Sequence, residues 1–150
     1  MKIGDMCNRE VVYIDRAQGV IAAAKLMRER HVGDLVVVDG GVDARAPIGL
    51  LTDRDLVVSA LAQDALDLTR LLVGDLLTRA VVSVFEDAEV GEALRLMRVH
   101  GVRRLPVLDD DGALVGLVTS DDVIDYLAEQ LSDLALISTS QRRREEKLRP

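Results

Sequence analysis

Residues 22–39 read AAAKLMRERHVGDLVVVD, and residues 92–109 read EALRLMRVHGVRRLPVLD. At an offset of 70 they share eight of 18 positions: Ala23/Ala93, Leu26/Leu96, Met27/Met97, Arg28/Arg98, Val32/Val102, Leu35/Leu105, Val37/Val107 and Asp39/Asp109. Unrelated segments of ordinary composition share about one. The same offset aligns Ile3-Gly4-Asp5-Met6 with Val73-Gly74-Asp75-Leu76, and Val11-Val12 with Val81-Val82. It then drops to 67, aligning Gly49-Leu50-Leu51-Thr52-Asp53-Arg54-Asp55 with Gly116-Leu117-Val118-Thr119-Ser120-Asp121-Asp122. The three-residue difference falls in Gly40-Gly41-Val42-Asp43-Ala44-Arg45-Ala46-Pro47, whose counterpart is Asp110-Asp111-Gly112. Turns absorb insertions and element interiors do not, so a strand stands on each side of a hairpin turn in both copies. The chain is an internal duplication.

Each copy reads as strand, helix, strand, strand, helix. The first strands fall at 11–14 and 81–84. Apolar residues at Val20, Ala23, Ala24 and Met27, and at Val90, Ala93, Leu94 and Met97, recur at helical spacing. Strands follow at 35–38 and 48–51, and at 105–108 and 114–118. A second helix starts after Thr52 and after Thr119. The fold class is α/β (α+β), two β-α-β-β-α repeats related by a pseudo-twofold axis. The halves divide as 1–66 and 67–130, with a helical extension and basic tail at 131–150. A unit of roughly 60 residues buries only about 60% of its surface alone, so the repeats are expected to share a core.

Composition narrows the function classes. The chain has 150 residues, 49% hydrophobic, with 26 acidic and 19 basic groups and a net charge of −7. Its one cysteine, Cys7, has no partner for an internal disulfide, which fits a reducing compartment. The start is polar, unlike a signal peptide, and no apolar run approaches the roughly 18 residues that span a bilayer. The expected setting is soluble and cytoplasmic, with no membrane partner. Tyr13, Phe85 and Tyr126 are the only aromatics. Single-stranded nucleic acid is usually held on aromatic platforms in a positive groove, so no nucleic-acid partner is expected. Residues 141–150 hold five basic and two acidic groups and read as a solvated, partly disordered end.

The duplicated string Gly-x-x-Thr-x-x-Asp carries the chemistry. Thr52 with Asp55, and Thr119 with Asp122, read locally as helix caps, the acid favouring the helix dipole. They read equally as a nucleoside site. A hydroxyl beside free N–H groups can meet phosphate, and a carboxylate can accept both ribose hydroxyls. A cap can also be a ligand contact, so the readings are compatible.

Two β-α-β-β-α copies, Leu-Met-Arg on the first helix, Arg103-Arg104-Leu105-Pro106-Val107 before a strand, and the doubled Thr-x-x-Asp string resemble a tandem CBS-domain pair, or Bateman module. The resemblance covers about residues 1–130. It implies a cleft between the repeats that holds an adenosyl ligand of the AMP, ADP, ATP or S-adenosylmethionine type, with no required cofactor. One site would combine Thr52, Asp55 and Val11-Val12-Tyr13 with Arg103 and Arg104. The other would combine Thr119, Asp122 and Val81-Val82-Ser83 with Gly33 and Asp34. The second offers an acid where phosphate prefers a cation, so the first is expected to be the better anion site. Asp53 and Asp121 oppose a polyphosphate at either. For Arg103 and Arg104 a solvated charged edge is the competing reading.

His31 and His100 stand at inequivalent repeat positions without further metal-type ligands nearby, and read as helix ends. Asp109-Asp110-Asp111-Gly112 lacks the closing acid of a calcium loop and reads as the hairpin turn. No Walker string, nucleophile elbow or other catalytic constellation is present, so no enzyme activity is expected. Ile124, Leu127, Leu131 and Leu134 step by 3, 4 and 3. That seam packs either on the chain's own domain or on another subunit. The resemblance also implies a homodimer. The expected function is a regulatory sensor of an adenosyl ligand that signals through the dimer or the C-terminal helix. The alternative is a ligand-independent protein-interaction module with an unknown protein target.

Overall fold

The computed structural model describes residues 1–40, 46–64 and 67–149. Most of the connection between the second and third strands, residues 41–45, thus lies outside the described residues. The elements in order are α1 (Ile3–Met6), β1 (Tyr13–Asp15), α2 (Val20–Arg30), β2 (Asp34–Val38), β3 (Pro47–Thr52) and α3 (Asp53–Asp55), which runs into a π-helical stretch, Leu56–Leu61. A 3₁₀ turn, Val73–Leu76, opens the second half. It continues through β4 (Val84–Phe85), α4 (Val90–His100), β5 (Arg104–Leu108), β6 (Leu114–Thr119) and α5 (Ser120–Leu148).

The strands form two three-stranded sheets, β1-β2-β3 and β4-β5-β6. In each the outer first strand runs parallel to the middle one and the third runs antiparallel. Both ladders slip at the same repeat position, between Val37 and Val38 and between Val107 and Leu108. Both first helices end on a left-handed residue, His31 at φ 55° and Gly101 at φ 65°. The pseudo-twofold therefore extends to local backbone detail. The Asp109 turn forms as expected: Asp109 Oδ1 accepts from the N–H groups of Asp111 and Ala113, and Gly112 turns at φ 80°.

The first strands start later than their valine runs suggest, at Tyr13 and Val84. Ahead of β1 a bond from Val36 N–H to Val12 C=O at 3.0 Å continues the ladder. The helical faces also differ slightly from expectation. Val20, Ala23 and Met27, and Ala93 and Met97, are buried, whereas Ala24 and Leu94 are exposed and Leu26 and Leu96 are partly covered. A helix lying on a small sheet buries a stripe about one residue wide at each turn, narrower than the four-residue face.

The hydrophobic core is not shared but double. One cluster gathers Ile14, Val20, Ala23, Met27, Leu35, Val37 and Leu51. The other gathers the equivalents Val84, Ala93, Met97, Leu105, Val107 and Val118. What joins the halves is an exchange of leading segments. Ile3, with Met6 and Cys7, packs in the second cluster, while Val73 and Leu76, with Leu77, pack in the first. The backbone follows: Ile3 and Gly4 donate to Ala88 and Glu86, and Val73 and Gly74 donate to Gln18 and Arg16. Fully burying an aliphatic side chain contributes about 1.5–3 kcal/mol, so each half completes its core with a residue from beyond its own strands.

The exchange also explains the glycine that leads each Gly-x-x-Thr string. A Cβ on Gly116 would lie 2.6 Å from Cys7 Sγ, and one on Gly49 would lie 2.7 Å from Leu77 Cδ2. Those glycines exist so that the borrowed segment can approach the strand. Burial there pushes the Cys7 thiol pKa above its ordinary value.

Candidate functional site

Both Thr-x-x-Asp strings fold into reciprocal caps. Thr52 Oγ1 accepts from Asp55 N–H at 3.1 Å, and Asp55 Oδ2 accepts from Thr52 N–H at 2.8 Å. The second copy repeats this at 3.2 Å and 2.7 Å for Thr119 and Asp122. Two donors at each helix start are satisfied this way. The copies differ in one hydrogen bond. Thr119 also donates its hydroxyl hydrogen to Asp122 Oδ2 at 2.8 Å, a bond that Thr52 does not make among the described residues. Each aspartate uses Oδ2 for its cap, which leaves Oδ1 outside it.

The sheets bring these caps to one place. Thr52 stands opposite Asp34 in the β2/β3 ladder, and Thr119 stands opposite Arg104 in the β5/β6 ladder. Between the sheets, Arg104 Nε lies 2.6 Å from Asp34 Oδ2. The four residues thus form a row, Thr52, Asp34, Arg104, Thr119, across the junction of the repeats. Asp34 and Arg104 are equivalent under the 70-residue offset, and equivalent residues that touch lie at the pseudo-twofold axis. The Asp34 side chain is 14% exposed and that of Arg104 is 42% exposed. Oδ2 of Asp34 is buried and has no aligned hydrogen bond, so the contact is a charge pair rather than a directed bond.

The remaining sequence candidates fall around this row. Val12 packs against the first core and Val82 against the second. Tyr13 is half exposed at the start of β1, one strand from Asp34, and Ser83 is partly buried just before β4. Arg103 turns toward its own half: it contacts Asp121 Oδ1 at 3.1 Å and Ser120 Oγ at 3.3 Å. Gly33, its counterpart, accepts from Asp53 N–H at 2.9 Å. Both arginines therefore hold carboxylates, and the junction carries Asp34, Asp53, Asp55, Asp121 and Asp122 around them. A separate open groove of about 520 Å³ lies between β1 and α2; it includes Tyr13, Gln18, Lys25 and Glu29 but neither cap. His31 and His100 are exposed helix ends, and among the described residues no three His, Cys, Asp or Glu side chains come together as a metal site.

Sequence reasoning assigned Arg104 and Asp34 to different sites; their mutual contact was the feature it missed. The signal was present in the offset, which makes the pair equivalent and opposite in charge.

The sequence matches the CBS-domain family twice, over residues 3–61 and 73–129. The chain belongs to that family. Among relatives of the CBS pair, hypoxic response protein 1 of Mycobacterium tuberculosis is 37% identical over 125 residues, covering 83% of this chain and 84% of that one. A Methanopyrus kandleri protein is 35% identical over 124 residues, and there the match spans only 61% of the relative's length. The crystal structure of hypoxic response protein I with two coordinated zinc ions superposes with a TM-score of 0.72 at 34% identity, over 83% of this chain and 98% of that one. CBSX2 in complex with AMP superposes at 0.68 with 27% identity, over 87% and 98%. Among the described residues of the CBS pair, no helix is long and apolar enough to cross a membrane.

Proposed function

We propose that this CBS pair is a regulatory module, not a catalyst, that binds an adenosyl ligand at the junction of its repeats. The observation that carries the reading is the convergence of two reciprocal Thr-Asp caps on the Arg104–Asp34 pair. Asp55 and Asp122 would hold ribose hydroxyls, Thr52 and Thr119 would lie near ribose or phosphate, and backbone at Val12-Tyr13 and Val82-Ser83 would frame the adenine. The similarity to CBSX2, whose structure holds AMP, supports that ligand class.

Charge orders the ligands. Arg104 is shared with Asp34, and Arg103 with Asp121, so an incoming phosphate competes with a carboxylate for either cation. AMP, or S-adenosylmethionine with its cationic sulfonium, fits that field better than ATP. The site built on Thr52 and Asp55 draws on Arg103 and Arg104, while the other draws on Gly33 and Asp34, so the first is the stronger one. The chain works in the cytoplasm as a homodimer, its halves at 1–66 and 67–130, and passes the signal through the dimer or the segment 131–150. A ligand shifts such an equilibrium only by its differential affinity for the two arrangements.

Calorimetric titration of AMP, ADP, ATP, S-adenosylmethionine and NAD into wild type, Asp55→Ala and Asp122→Ala tests the assignment. Asp55→Ala is expected to weaken AMP at least tenfold, and Asp122→Ala to weaken it less. Unchanged binding in Asp55→Ala sinks the site. The occupied arginines favour a second reading, a ligand-independent interaction module, and silence across the whole ligand panel would select it.

A further inference from the structure

Two features of the fold stand unsupported by their surroundings: the seam of α5, exposed at Leu127, Leu131 and Leu134, and the charge pair on the pseudo-twofold axis. Only the second lies where the proposed ligand sites meet. Among the described residues the Asp34 carboxylate has no partner besides Arg104, and the Arg104 guanidinium has none besides Asp34. Arg103 differs, being tethered twice, to Asp121 Oδ1 and to Ser120 Oγ. Arg104 is therefore the cation that changes hands by the exchange of a single partner. Its contact with Asp34 is not an aligned hydrogen bond, whereas a phosphate accepts from the guanidinium fork with two oxygens.

That exchange strips Asp34 of its counter-charge. The side chain is 14% exposed, and a carboxylate left bare at such depth is costly. Around it stand Asp53, Asp55, Asp121 and Asp122. Arg103 stays with Asp121, and Arg54 lies on the exposed start of α3. A second phosphate at the junction thus meets repulsion and no released cation. A ligand of net positive charge meets the opposite field, and it restores the neutrality that the first ligand removed. Two sites related by an axis share whatever stands on that axis. Here they share one cation and one anion, so the charge of the first ligand selects the charge of the second.

We propose that the Asp34–Arg104 pair couples the two sites by charge: an anionic nucleotide at Thr52 and Asp55 excludes a second anion from Thr119 and Asp122 but recruits a cationic adenosyl ligand there. The coupling rests on the adenosyl binding proposed above. It gives the second site a ligand class of its own, an adenosine derivative carrying a sulfonium or ammonium group. By linkage the recruitment is reciprocal.

Calorimetry on the full chain tests it, with AMP first and then with S-adenosylmethionine added to the AMP-saturated chain. AMP is expected to saturate at one molecule per chain. S-adenosylmethionine is expected to bind the AMP-loaded chain about fivefold more tightly than the free chain, and AMP to gain the same factor when it is added second. Asp34→Asn, with its fold checked by circular dichroism, is expected to bring that factor down to about one. Two equal AMP sites per chain overturn the coupling and leave the adenosyl binding standing. S-adenosylmethionine that binds the AMP-saturated chain more weakly, or not at all, does the same, as does a factor that survives Asp34→Asn. Absence of binding by either ligand overturns both.

Discussion

His31 and Gly101 occupy one repeat position and solve one problem with different chemistry. Each ends its helix in the left-handed region, donating its N–H to Met27 C=O or Met97 C=O. A residue with a Cβ held there costs about 1–2 kcal/mol, and glycine escapes that cost while losing some entropy on folding. His31→Gly is therefore expected to raise stability by about 0.5–1 kcal/mol, and Gly101→Ala to lower it by about 1 kcal/mol. Urea unfolding with unchanged m-values measures both. Equal effects of the same sign would show that the two helix ends are not equivalent. The cap residues work at this scale as well: Asp55 and Asp122 each bond one backbone group through Oδ2, which fixes the carboxylate before any ligand arrives.

At the scale of elements, the exchange of leading segments is the feature that makes one molecule of two repeats. The segment around α1 closes the second core, and the turn Val73–Leu76 closes the first. Gly116 marks the contact, since any Cβ there meets Cys7 Sγ at 2.6 Å and Asn8 C=O at 3.2 Å. Gly116→Ala is expected to destabilise by about 1–3 kcal/mol, the range for overpacking in a closed core. Cys7→Ala alone removes a partly buried side chain and costs less. The two substitutions together should recover part of the loss, because the sulfur that obstructs the new methyl is gone. A double-mutant cycle by urea unfolding reads that coupling, and strict additivity would mean the segment does not press on the strand.

The whole molecule places an acid and a base on its own axis. Under the proposed function Arg104 would meet a phosphate at the junction, but Asp34 already holds it. Asp34→Asn removes one negative charge beside the proposed phosphate path while keeping the shape. ADP and ATP are then expected to bind about tenfold more tightly, with adenosine unchanged, since only charged ligands sense the difference. Calorimetry with the three ligands checks this, and an equal gain for adenosine would show that shape, not charge, was altered.

The β-α-β-β-α order of each copy, the duplication, both caps and the hairpin at Asp109 were legible in the chain itself, whereas the short helical turns at Ile3–Met6 and Val73–Leu76 were not. The legible features depend on neighbours within a turn or a strand, where spacing alone carries the information. The helical faces were legible to within one residue each, Ala24 and Leu94 being the exceptions. Three features depended on how distant segments meet. Only the tertiary structure assigned each leading segment to the opposite half, joined Arg104 to Asp34, and left the seam of α5 uncovered. A leading segment that pairs with either half has the same local pattern, and a leucine stripe has the same period whether or not something lies on it. Periodicity defines a face, but only the packing of the folded chain decides what that face touches.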